Sequence, residues 1–169
     1  MNNYEQMMIK DLQDLYQAET EQASQLPKLA AQAHDGALRT ALQEHATETE
    51  EQAARLREML EMAGEIPGGQ GEVTPGVKGL VQEAHMKAEQ MQDPVLKDLA
   101  LIAAARKMEH YEIACYGTAR AIARTAGMDQ AALLLQTSLD EEEAADRRLT
   151  DIAMPIHKMA AQAVPAMVD

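Results

Sequence analysis

The sequence contains no Trp and no Phe, and only four Tyr. Val and Ile are sparse as well, which argues against a β-sandwich or barrel, since those folds draw on β-branched and aromatic side chains. Cys115 is the only cysteine, so no intrachain disulfide can form and nothing points to an oxidising compartment. Basic residues are few: 15 Lys and Arg stand against 28 Asp and Glu, a net charge of −13 with pI near 4.7. Such a surface repels nucleic acid and anionic lipid, so neither is an expected partner. No apolar run is long enough to span a membrane. The opening residues Met-Asn-Asn-Tyr-Glu-Gln lack the basic-then-apolar order of a signal peptide, and the expectation is a cytoplasmic protein.

Alanine and methionine are plentiful, with 12 Met in 169 residues. Ala and straight-chain residues lose little in a helix, and small side chains let helices approach closely while Met fills the gaps. The expected fold is all-α in a single domain, residues 1–169. Apolar residues recur at three- and four-residue spacing in segments of about 3–34, 37–62, 75–91, 94–126 and 129–158. Asn2 or Asn3 can cap the first segment. Pro27 predicts a kink near Ala23 to Gln25, and Pro155 a weakening of the last helix. Thr74-Pro75 and Asp93-Pro94 each read as an N-cap followed by proline at the first helical position. The glycine-rich stretch 64–73 reads as the most flexible part, and the tail 160–169 as frayed or docked on a partner subunit. Two tightly turned pairs of long helices joined by a connector long enough to travel the bundle make a four-helix bundle with one crossover, the ferritin-like arrangement.

Acidic residues lie inside the apolar stripes. Glu109 and Glu112 are three apart on one face of the fourth segment. In an antiparallel hairpin, residues equally far from the turn lie at the same height. Glu112 is fifteen residues before Gly127 and Glu142 fifteen after; Glu109 is eighteen before and Asp146 nineteen after. In the first pair, Glu19 lies about sixteen before the turn at Asp35-Gly36, with Glu48 and Gln52 about twelve and sixteen after it. A single Glu beside an apolar stripe is usually a boundary residue, but a whole layer of acids is not. These carboxylates cannot all remain ionised and unpaired in a core, and few basic residues share their faces. Metal ions are the natural counter-charge, and carboxylates can bridge two of them.

Several stretches carry a family resemblance. They are Leu15-Tyr16-Gln17-Ala18-Glu19, His45-Ala46-Thr47-Glu48-Thr49, the run from Ala103 to Thr118 that includes Glu109-His110-Tyr111-Glu112, and Leu139-Asp140-Glu141-Glu142-Glu143 with Leu149-Thr150-Asp151. Together they resemble the YciE/YciF family of bacterial stress-associated, ferritin-like, rubrerythrin-related proteins. The resemblance covers nearly the whole chain and is most specific at Glu109–Tyr116. It implies a homodimer of four-helix bundles, each with a dinuclear iron or manganese site.

The sequence departs from the Glu-x-x-His pattern expected on two helices of such proteins. Glu51 follows Glu48 at that spacing and Ala145 follows Glu142. Gln52, Asp146 or His45 stand as substitutes. The metal-site candidates are therefore Glu19, Glu48, Glu112 and Glu142, then Glu109, Asp146, His45 and Gln52. A site rich in carboxylate and poor in nitrogen is hard, which suits Mn or even Mg. Cys115 reads as a small buried hydrophobe, and Tyr16 and Tyr116 as core residues that could also serve as donors beside a metal. The expected function is a dinuclear metal-carboxylate protein acting on peroxide or oxygen, in the manner of a peroxidase, catalase or ferroxidase. The alternative is a non-enzymatic stress-response binding or scaffold protein with a structural or vestigial metal site.

Overall fold

The computed structural model describes residues 3–68 and 73–163. Capping by Asn2, the loop at 69–72 and the tail 164–169 lie outside the described residues. The helices are α1 (Asn3–Ala30), α2 (Gly36–Met62), α3 (Pro75–Gln90), α4 (Pro94–Thr125) and α5 (Asp129–Ala163). No strand occurs among the described residues.

The starts of the helices follow the local sequence. Asp35 accepts a hydrogen bond from Leu38 N, Thr74 from Val77 N, and Asp93 from Val95 N and Leu96 N. Each side chain satisfies amides that have no partner within the helix. Pro75 and Pro94 occupy first-turn positions where a missing N–H costs nothing. Gly64 and Gly127, at φ +80° and +73°, end α2 and α4 in the left-handed conformation that only glycine adopts freely.

Two boundaries differ from the sequence expectation. α1 ends at Ala30 rather than near residue 34. Asp98, buried on α4, accepts from His34 N at 2.7 Å and Asp35 N at 2.8 Å and so draws the chain out of the helix. α5 runs past Pro155 to Ala163. Ala153 and Ile156 flank that proline in the core, and their burial outweighs its cost of about 3 kcal/mol. Pro27 is likewise inside α1, with Leu26, Leu29 and Ala30 packed on either side.

α1 pairs with α2 and α4 with α5 across tight turns. Contacts also run from α1 to α4 and from α2 to α5. Along both seams rising numbers face falling ones: Glu19 meets Tyr116, and Arg55 meets Ser138 while Gln52 meets Glu142. Each neighbouring pair of these four long helices is thus antiparallel, and α2 and α4 run parallel. Parallel helices need a connection the length of the bundle, which α3 provides while packing on α4 and α1 through Val77, Ala84 and Ala88. The approach to α3 is tied to α1, where Gln13 bonds both Ile66 O and Gly68 N. The result is the ferritin-like four-helix bundle with one crossover.

The apolar core is divided. One cluster gathers Leu26, Leu38, Leu42, Leu101, Leu149 and Ile156 at the end where α1 turns into α2. Another gathers Leu12, Leu15, Leu56, Leu60, Ile122 and Leu135 toward the end where α4 turns into α5. Between them lies a polar layer.

Candidate metal centre

Four carboxylates occupy this layer without solvent contact: Glu19 from α1, Glu109 and Glu112 from α4, and Glu142 from α5 are all 0 % exposed. α2 contributes His45, 5 % exposed, and fully buried Gln52; α1 adds Gln22. Helical spacing explains the set. Glu19 and Gln22, like Glu109 and Glu112, are three apart and stack one turn above the other on an inward face. The layer is therefore two tiers deep.

Ligand-capable atoms of Glu19, Glu112 and Glu142 lie within 4.8 Å of one another, and so do those of His45, Glu109 and Glu142. Glu142 belongs to both groups, as a bridging carboxylate would. Glu19 Oε2, both oxygens of Glu109, both of Glu112 and Glu142 Oε2 are buried and make no hydrogen bond, nor do Gln22 Oε1 and Gln52 Oε1. Orphaned anionic oxygens on this scale are costly in a core unless a cation meets them. Fully ionised, the four carboxylates would carry four negative charges, matching two divalent cations. The donor set fits such ions: hard oxygens dominate, with one imidazole.

The surrounding side chains hold these groups in place. Tyr116 Oη donates to Glu19 Oε1 at 2.5 Å. Gln52 Nε2 donates to Glu142 Oε1 and, at 3.1 Å, to Glu141 Oε2. Arg55 braces Glu141 with bonds of 2.7 and 2.8 Å and reaches Ser138. His45 Nδ1 lies 3.2 Å from Glu48 Oε2, while its Nε2 is 3.1 Å from Gln22 Nε2 and from Glu109 Oε2. The contact with Glu109 is an ion pair by distance, without the direction of a hydrogen bond.

Titration follows from this packing. Burial pushes the Glu19 carboxyl up to about 8 against the downward pull of the Tyr116 hydrogen bond. Burial, then the charges of Glu19, Glu142 and Glu109, hold Glu112 well above the usual carboxylate range. Glu142 is raised in the same way, by burial and then by Glu109. Burial alone would lower the His45 imidazole, but the carboxylates of Glu109, Glu48 and Glu142 together hold it well above its ordinary value. Metal-free, the layer is thus a proton store, and binding a cation would release protons.

The structure brings together Glu19, Glu109, Glu112, Glu142, His45 and Gln52 of the residues singled out in the sequence. It leaves Glu48 and Asp146 outside. The Glu48 side chain is 48 % exposed and turned to the outer nitrogen of His45. Asp146 pairs with Arg106 at 2.7 Å and lies 3.4 Å from His110. Turn-counting gives Asp146 its height but not its direction. Arg106 and His110 are rotated about 60° and 100° from Glu109 at 100° per residue, and Asp146 meets that flank. Gln22 escaped notice in the sequence, although it stands three residues after Glu19, at the spacing that relates Glu109 to Glu112.

The chain's relatives share this architecture. Residues 3–162 match the family described as a domain of unknown function, DUF892. The curated Escherichia coli protein YciF is 37 % identical over 154 residues, 91 % of this chain and 92 % of that protein. The crystal structure of YciF, described as an E. coli stress protein, superposes with a TM-score of 0.87 at 36 % identity, covering 94 % of this chain and 99 % of the other. YcfI from Rhodopseudomonas palustris gives 0.84 at 36 % identity, over 89 % and 94 %. A Xanthomonas campestris protein gives 0.72 at 22 % identity over 95 % and 97 %, a likeness of fold. With its bundle, its crossover helix and nearly its full length matched, the chain belongs to the DUF892 family, that of the E. coli stress protein YciF.

Proposed function

We propose that the protein binds two divalent cations, iron or manganese, with magnesium as a further occupant, and acts on peroxide or oxygen as a stress-associated protein. The observation that carries this reading is the set of unbonded, fully buried carboxylate oxygens arranged as two groups around a shared Glu142. In this reading Glu19, Glu112 and Glu142 would hold one ion and His45 and Glu109, with Glu142, the other. Such a pair of ions, when bound, supplies Lewis acidity and electrons for peroxide or dioxygen chemistry.

The chain's own residues would do the rest. Gln52, braced through Glu141 by Arg55, fixes the orientation of Glu142. Tyr116 Oη holds a proton at Glu19 Oε1, in reach of the reacting centre. The apolar clusters above and below keep bulk water from the layer. Two-fold pairing of this chain with another copy and a cytoplasmic location complete the proposal. The pairing rests on the family resemblance.

The test is metal analysis of protein purified without chelator and then loaded with Mn(II) or Fe(II). About two ions per chain are expected; a content near zero overturns the reading. A second reading is favoured by the complete burial of the four carboxylates, which suits a closed structural site. It describes a non-enzymatic stress-response scaffold. There, Glu112→Ala lowers the melting temperature and no peroxidase, catalase or ferroxidase turnover exists to be lost; turnover by the wild type contradicts it.

A further inference from the structure

The four carboxylates are sealed, so any cation must reach them past something that moves. Of the two triads' members only His45 retains solvent contact. It faces a cavity of about 220 Å³ on the seam between α2 and α5, lined by His45, Glu48, Ala144, Ala145 and Arg148 among others. The cavity exists because α5 presents the small side chains Ala144 and Ala145 opposite α2. Glu48, half-exposed, lines it and is bonded to His45 Nδ1. Arg148 stands beside it, held by Glu44 Oε2 at 2.5 Å. A second cavity that touches the layer, between α1, α3 and α4 at Gln22 and Glu109, holds only about 20 Å³ and is otherwise lined mainly by Leu, Val, Ala and Met. That is room for about one water, against many in the α2–α5 cavity, so the wider α2–α5 cavity is the better route for a hydrated cation.

We infer that the α2–α5 cavity is the uptake port for the divalent cations and that Glu48 is its relay carboxylate, not a permanent ligand. An arriving cation meets the Glu48 carboxylate first. Engaging it releases His45 Nδ1, so the imidazole is free to swing aside and the ion passes to Glu109 and Glu142. When His45 returns, the Glu48 bond restores the ring with Nε2 directed inward. Arg148 opposes the cation's approach, and its pairing with Glu44 sets how strongly. The same pairing of outer carboxylate and imidazole fixes a metal-binding histidine's tautomer in general.

The inference rests on the dinuclear reading but is tested apart from it. Metal-free wild type, Glu48→Gln and Arg148→Ala are mixed rapidly with Mn(II), and loss of the free-ion resonance is followed in time and to equilibrium. Glu48→Gln should slow uptake by about tenfold and Arg148→Ala should accelerate it, the scale of effect that a charge at a channel mouth exerts. Both should reach the wild-type Mn(II) content at saturation. An unchanged rate in either variant overturns the port. Loss of bound Mn(II) at saturation in Glu48→Gln also overturns it, by making Glu48 a ligand. Wild type that binds no Mn(II) at equilibrium refutes the dinuclear reading itself, whereas full occupancy with unchanged variant rates refutes the port alone.

Discussion

Tyr116 shows how much a single side chain contributes to the layer. Its ring is fully buried and its hydroxyl is the partner of Glu19 Oε1. Tyr116→Phe removes that donor, leaves the Glu19 carboxylate without its hydrogen bond and pushes its pKa higher still. Metal affinity should fall by about 10- to 100-fold, as for other partners of ligands, and the metal-free form should lose about 1–3 kcal/mol of stability, since a buried carboxyl oxygen is left without its donor. Competition with a chelator of known affinity measures the first and calorimetry the second. Glu112 carries a pH prediction. Between the ordinary carboxylate range and Glu19's value of about 8, the folded metal-free chain holds protons that the unfolded chain has released, so its stability falls as pH rises through that window. Glu112 and Glu142, held up by burial and by neighbouring carboxylates, act with the same sign. So does His45, whose raised value makes its contribution present at low pH and lost as pH rises. Glu112→Gln removes one of these groups. In thermal melts of metal-free protein, the variant should gain on the wild type between about pH 5 and about pH 8. A gap that does not change with pH contradicts the burial account.

Much of the residue detail is legible in the sequence. Glu112 and Glu142 share a height by turn-counting and meet in space, because distance from a tight turn fixes height in a straight hairpin. Glu109 was matched to Asp146 by the same count and meets Glu142 instead. Counting fixes height alone, and direction depends on how each helix is rolled against its neighbours. Glu48 shows the same limit: it lies three residues from His45, a rotation of about 60°, which places it at the rim and not in the layer.

At the scale of elements, caps and prolines announced where helices begin, since those signals are local. Their ends were less legible. The end of α1 is decided by Asp98, more than sixty residues away in sequence, which accepts from His34 N and Asp35 N. No local pattern carries that information. Asp98→Ala should destabilise the fold by about 2–3 kcal/mol, since two amides lose a charged acceptor. Denaturant titration checks this, and bound metal per folded chain should be unchanged because Asp98 lies outside the carboxylate layer. A loss under about 0.5 kcal/mol would mean the turn is held by other contacts. Prolines inside α1 and α5 show the opposite balance, a local penalty outweighed by core residues on both sides.

For the whole molecule, the division of the core decides behaviour. Two apolar clusters enclose a layer that is expensive when metal-free, because several groups must stay protonated or unpaired at neutral pH. Cations that bind only the folded chain add stability by mass action, about 2.7 kcal/mol at a hundredfold excess over Kd. The melting temperature should therefore climb with Mn(II) concentration and fall back on chelation, and the climb should be steeper at about pH 8 than at about pH 5, where protons compete.

The central claim is that the layer between Glu19, His45, Glu109, Glu112 and Glu142 is a dinuclear cation centre. Anomalous scattering from crystals loaded with Mn(II) tests it most directly. The account predicts two peaks roughly 3.5–4 Å apart, one beside Glu19 and Glu112 and one beside His45 and Glu109, with Glu142 reaching both. Fully loaded crystals with no peak inside the bundle, and Mn(II) only on the acidic surface, would contradict it.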